Sequence, residues 1–182
     1  MQLSQNFSLK ELTASQTAER KGISNNPDPD QVDCLKALCE NVLQKVRDYY
    51  GKPVTVSSGY RSVELCEAIG SSSRSQHAKG QAADFEIFGV PNAELAKWIA
   101  DNCEYDQLIL EYHKLDEPNS GWIHCSYKSS DNRKQILRAY RDEEGSTKYE
   151  EYTPGWLPRP DDESGVSLSK DEIINLYMQK GV

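Results

Sequence analysis

From Asp28 onward, stretches whose apolar residues recur every three or four positions give way to stretches that alternate apolar and polar. Val32, Leu35, Cys39, Val42, Val46 and Tyr49 form one such stripe, which predicts a long helix. Asp28 can cap its free amides, Pro29 suits its first position and Gly51 can end it. The polar sequence ahead of it predicts only short helices, at about residues 9–12 and 16–21. Val54-Thr55-Val56 reads as a short strand, Ser58-Gly59-Tyr60 as a turn, and residues 61–69 as a helix running into the loop Gly70-Ser71-Ser72-Ser73. Further strands are expected at residues 82–88, 107–112, 122–127 and 136–140, with a helix opened by Pro91 that turns Leu95, Trp98 and Ile99 inward. Helices interleave with strands early and strands cluster late, which predicts an α+β fold with a small antiparallel sheet rather than a doubly wound one.

Beyond about Arg141 the sequence becomes charged and is broken by Pro154, Pro158 and Pro160. Ser169 and Glu172 can form a capping box ahead of Ile173, Ile174 and Tyr177, predicting a last helix. Residues 1–141 are therefore expected to be one domain and 142–182 a C-terminal extension, packed on it or serving as a tether. The chain has 182 residues, 37% hydrophobic and 27% charged, with a formal net charge of −8. That charge argues against a nucleic-acid partner held by a broad basic surface. No apolar run reaches the roughly 20 residues of a membrane helix, so no membrane insertion is expected. The first residues show no basic cluster followed by an apolar run, so synthesis in the cytoplasm without a signal peptide is expected. Cys34, Cys39, Cys66, Cys103 and Cys125 are scattered and odd in number, which predicts free thiols rather than a disulfide framework.

Two of the three histidines keep unusual company. His77 lies in Ser75-Gln76-His77-Ala78-Lys79-Gly80-Gln81-Ala82-Ala83-Asp84, and His124 in Trp122-Ile123-His124-Cys125-Ser126. A catalytic zinc site uses three protein ligands and leaves a fourth position open, a count that two histidines and one aspartate satisfy. Successive side chains of a strand point to opposite faces. One register therefore places Asp84, Glu111 and His124 on a common cleft face, and leaves Phe85, Ile87, Leu108, Leu110 and Ile123 for helices to cover. A slip of one residue would wreck both sets at once.

The pattern Ser75-x-His77-x-x-Gly80-x-Ala82-x-Asp84, followed by Trp122-Ile123-His124-x-Ser126, resembles the zinc D-Ala-D-Ala carboxypeptidases and murein endopeptidases, and most of all their phage-lysin branch. Val56-Ser57-Ser58-Gly59-Tyr60-Arg61-Ser62 and the opening Asn6-Phe7-Ser8 through Asn26-Pro27 extend the likeness over about residues 6–140. The resemblance implies a hedgehog/D,D-peptidase-like fold, with helices on one sheet face and a zinc cleft on the other. It implies one Zn2+ held by His77, Asp84 and His124. It makes Arg61 a catalytic and substrate-binding group, with Ser75 and Tyr60 beside the substrate. Several relatives carry an acid three residues before the last histidine, where this chain has Gly121. Glu111 is the best replacement as general base, and His113, of the same parity, is its rival. The expected activity is hydrolysis of peptide bonds in peptidoglycan stems, as a D,D-carboxypeptidase or endopeptidase of endolysin type. Such a protein is expected to be a monomer that meets the wall after holin-type release or within a virion. Gly121 keeps a second reading open: a zinc-containing binding or structural virion protein without hydrolysis.

Overall fold

A computed structural model describes residues 1–114 and 117–152. The helix expected from Ser169 and the prolines before it lie outside the described residues. Two short helices come first, α1 (Leu9–Thr13) and α2 (Gln16–Lys21), each started by a serine hydroxyl that accepts a backbone amide, Ser8 from Glu11 and Ser15 from Ala18. Helix α3 (Pro29–Leu38) begins with a reciprocal capping box between Asp28 and Gln31, and Pro29 sits where its missing amide is no loss. It runs through a π-helical turn (Cys39–Leu43) into α4 (Gln44–Tyr50), which ends at Gly51 in the left-handed conformation.

The wide turn, closed by the Gln44 amide on the Cys39 carbonyl, delays the helix phase by about one residue. Leu35, Leu38, Cys39, Val42, Leu43 and Val46 are all fully buried, but Tyr49, expected on the same stripe, is 62% exposed. Tyr50 turns toward the core in its place, while Tyr49 stacks on Trp98 with ring centroids 4.5 Å apart. Helix α5 (Val63–Ala68) and a 3₁₀ turn (Gln76–Lys79) precede the second strand, and α6 (Asn92–Asn102) follows it.

Six strands, β1 (Thr55–Ser58), β2 (Ala82–Glu86), β3 (Gln107–Glu111), β4 (Trp122–Ser126), β5 (Gln135–Arg141) and β6 (Thr147–Glu151), form one sheet in the order β1-β2-β4-β3-β5-β6. Neighbours are antiparallel except β3 and β5, which run parallel, so the sheet is mixed rather than purely antiparallel. Alternation of apolar residues specifies a strand's faces and not its direction, which is why this pairing was not visible in the sequence. Strand β6 belongs to the segment expected to be an extension, and it pairs with β5 across the turn where the boundary was placed.

Phe85, Leu108, Leu110, Ile123 and Cys125 are fully or almost fully buried on one sheet face, in a single core with the inward residues of α3, α4 and α6. The opposite face carries Asp84, His124 and Ile109 in one row, because Asp84 pairs with His124 and His124 with Ile109. The cysteines are free thiols, as expected. No helix among the described residues is long and apolar enough to cross a membrane. Phe85→Ala should remove about 3–5 kcal/mol of stability, read as a lower urea midpoint, because its ring fills the core directly behind Asp84.

Candidate metal centre and cleft

The site is assembled from three separate pieces of backbone. Asp84 and His124 face each other from adjacent strands, and His77 is brought over them by the 3₁₀ turn. Ser75 starts that turn by accepting the His77 amide on its hydroxyl at 3.3 Å. The turn is stitched to the Ser58-Gly59-Tyr60-Arg61 segment in both directions. The Arg61 amide donates to the His77 carbonyl at 3.2 Å, and the His77 ring places Nδ1 2.6 Å from the Gly59 carbonyl. Gly59 itself tolerates no side chain, since a Cβ there would stand 2.3 Å from the Leu12 carbonyl oxygen. Asn25 secures the same segment, donating to the Thr13 and Tyr60 carbonyls and accepting the Ser62 amide.

These restraints leave three donor atoms facing one another. His77 Nε2 is 3.2 Å from His124 Nδ1 and 3.2 Å from Asp84 Oδ1, and His124 Nδ1 is 2.9 Å from the same oxygen. All three residues are buried. Burial holds His77 below the usual imidazole range, so the ring is neutral near pH 7. A neutral ring whose Nδ1 hydrogen goes to Gly59 must aim the lone pair of Nε2 at the Asp84 carboxylate. Two electron pairs then confront each other in a buried place, an arrangement that a cation relieves. Without a metal, a proton carried toward Asp84 by either imidazole relieves the same conflict. Burial pushes the Asp84 carboxyl up, but such contacts outweigh it and hold the group well below the ordinary carboxylate range.

Arg61 donates Nε to the Ser58 hydroxyl at 2.7 Å and pairs through its terminal nitrogen with Asp84 Oδ2. One carboxylate oxygen is thus turned to the arginine and the other to the histidines. Glu111 lies on the same sheet face, two residues along β3 from the partner of His124. Its carboxyl is raised to about 7, mostly by burial and then by the negative charge of Asp84, against opposing pulls from His124 and Arg61.

A cleft of about 1060 Å³ opens over this centre, lined by Arg61, Ser75, His77, Asp84, Glu111 and His124 among others. Two expected participants do not reach it. Tyr60 is 5% exposed and packs in the core, and it is not among the residues that line the cleft. His113 turns away because Tyr112 adopts a φ of 54° and ends the alternation of β3, so that Nδ1 of His113 meets the Ser120 carbonyl at 3.4 Å. Parity holds only while the strand does. Gln76, Gln107, Tyr112, Leu137, Arg141, Thr147 and Tyr149 also line the cleft and were not singled out in the sequence. The weak alternation of Thr147-Lys148-Tyr149-Glu150-Glu151 after Gly145 was the available signal for the last of these.

With this geometry in view, the comparison with known families is decisive. The Peptidase M15 family model matches residues 5–126, which include every piece of backbone that builds the centre. The chain belongs to the peptidase M15 family. This is the family of zinc D-Ala-D-Ala carboxypeptidases to which the motifs pointed, and membership points to a peptidase. No curated protein matches the chain.

In this M15 peptidase the backbone also accounts for the missing acid. Gly121 has a φ of 70°, and a Cβ on it would fall 1.9 Å from the Glu111 carbonyl oxygen and 2.8 Å from the His113 amide. An acidic side chain at this position is incompatible with the turn as it stands. Gly121→Ala and Gly121→Glu should each lower stability by at least about 1–3 kcal/mol from backbone strain alone, measured by thermal or urea unfolding. A Gly121→Glu variant as stable as the parent would show that the turn is not constrained in this way.

Proposed function

We propose that the protein is a zinc-dependent peptidase that hydrolyses peptide bonds in the stems of peptidoglycan, with His77, Asp84 and His124 as the ligands. The observation that carries this is the donor triangle, with edges of 3.2, 3.2 and 2.9 Å. Ligands bound tetrahedrally at the usual Zn–N and Zn–O lengths stand about 3.3 Å apart, so the three atoms fit such an ion with little movement. The three residues are the metal-competent group formed by the described residues, each offering one ligand atom within 4.8 Å of the others. The Gly59 carbonyl on His77 Nδ1 is the outer partner that fixes a ligating imidazole in the correct tautomer.

A bound zinc ion would supply Lewis acidity, polarising the scissile carbonyl and lowering the pKa of water toward about 7. Glu111 is the general base on this reading. It takes a proton from the attacking water and returns it to the leaving amine. A carboxyl near pH 7 is matched to both transfers, which together are typically worth about a hundred- to ten-thousandfold in rate. Arg61 pairs with Asp84 and orients it, and its guanidinium borders the cleft where negative charge develops on the substrate. Ser75 positions the His77 turn. The phage-lysin likeness supports an endolysin-type role on the wall.

Glu111→Gln should lose at least a hundredfold in kcat while binding one zinc per chain, measured by product mass spectrometry on defined stem peptides and by metal analysis. Chelation should abolish turnover and zinc should restore it. A metal-replete wild type that frees no peptide termini from murein would sink the proposal. The pH profile has a definite sign. Glu111 must be ionised to accept a proton, so kcat/KM should fall as the pH drops through about 7. A bound cation draws that carboxyl downward, placing the limb at or below this value, and Glu111→Gln should erase the limb along with the activity. Stability of the metal-free protein should respond in the opposite sense. The raised carboxyl of Glu111 favours the fold at low pH, and that contribution is lost as pH rises through about 7.

A further inference from the structure

The family match stops at residue 126, but the cleft continues beyond it. Leu137 and Arg141 from β5, with Thr147 and Tyr149 from β6, form a wall that the matched portion does not contain. The pairing register explains how they come to face the centre. Leu137 lies beside Ile109, and Tyr149 lies opposite Ala139, the neighbour of Glu111. Arg141 and Thr147 close the row as partners across the β5–β6 hairpin.

Arg141 is held as a receptor would be. Its guanidinium carbon lies 5.1 Å from the centroid of the Tyr112 ring, and NH1 donates to the Gly145 carbonyl at 3.0 Å. Tyr112 is anchored in turn, its hydroxyl 2.8 Å from the Thr147 hydroxyl and its ring 5.2 Å from that of Trp122. A guanidinium laid on an aromatic face keeps its in-plane N–H edge for a planar anion and loses little freedom on binding one. The other arginine of the cleft is engaged by Asp84 and Ser58. The protein is acidic overall, with a net charge of −8, and a cation on the cleft wall offsets part of that field for an anionic peptide.

We propose that Arg141 is the carboxylate anchor of the cleft, positioned by Tyr112 and Thr147, and that it selects peptides bearing an ionised carboxylate away from the bond that is cut. The proposal rests on the peptidase reading for its substrate class. It adds a residue outside the matched family segment and a charge requirement on the peptide.

The test is a charge cycle. Binding of the pentapeptide L-Ala-γ-D-Glu-L-Lys-D-Ala-D-Ala and of its counterpart amidated only at the D-Glu α-carboxylate, remote from the D-Ala-D-Ala bond, is measured by calorimetry on the zinc-loaded Glu111→Gln protein, with and without Arg141→Gln. With Arg141 present, the free acid should bind about ten- to a hundredfold more tightly than the amide, and in Arg141→Gln that ratio should collapse toward one. Arg141→Lys should keep part of the preference, because the charge remains while the fork is lost. A ratio that survives Arg141→Gln, or no preference in the parent, overturns the assignment. Turnover by the wild type is scored separately. Cleavage of neither peptide would remove the peptidase reading, and the binding cycle would still decide for or against Arg141.

Discussion

Everything at the centre depends on one short contact, the His77 ring against the Gly59 carbonyl. In a neutral imidazole only one nitrogen can carry the hydrogen, so committing Nδ1 to Gly59 commits the lone pair of Nε2 to the opposite side. That side holds Asp84 and His124, themselves fixed by strand pairing. The motif residues around these positions serve this contact. Gly59 lets the segment run against α1, Ser75 starts the turn that carries His77, and Asn25 clamps the loop from the N-terminal side. The likeness of the first residues to the family therefore has a structural basis. They form the back wall of the candidate metal site and contribute none of its three donor atoms.

The sheet contributes by fixing spacing. Adjacent antiparallel strands hold facing residues at a set separation, which is how Asp84 and His124 meet without help from a loop. Glu111 follows from the same register, one step diagonal to His124, and its burial gives its carboxyl the character of a base near neutral pH. The turn at Gly121 and the acid at Glu111 are two sides of one local solution. The Glu111 carbonyl occupies the space that a side chain at 121 would need. A chain that carries its acid on β3 in this geometry has no room for a second one on the approach to β4.

What the sequence made legible was periodic or chemically specific. The α3 cap, the α6 stripe, the strand faces and the His-Asp-His grouping each follow from local rules of spacing and type. What escaped was set by single departures from periodicity. The π-helical turn moved Tyr49 outward, and the positive φ of Tyr112 broke the parity on which His113 was placed. Tyr60 was read as a substrate contact from its place in the motif, yet its ring belongs to the core. The parallel β3–β5 pair and the sixth strand escaped for another reason. Strand direction leaves no mark on alternation, and the charged residues of β6 disguise a strand whose inward face lines a wet cleft rather than an apolar core.

That last disguise bears on how such a cleft can vary. Residues behind the sheet are packed against helices, so changes there disturb the fold that holds the ligands. Among the described residues the β5–β6 hairpin lies at one edge of the sheet, and β6 pairs with β5 alone. Its cleft-facing residues, Thr147 and Tyr149, line the cleft without taking part in the His77, Asp84 and His124 triangle. On the proposed reading, chemistry and recognition fall to different strands, the first fixed by the β2–β4 register and the second free to be rebuilt at the edge. A charged edge strand also resists pairing with another chain, so the charged residues that obscured β6 in the sequence protect the sheet, while Thr147 and Tyr149 between them face the cleft.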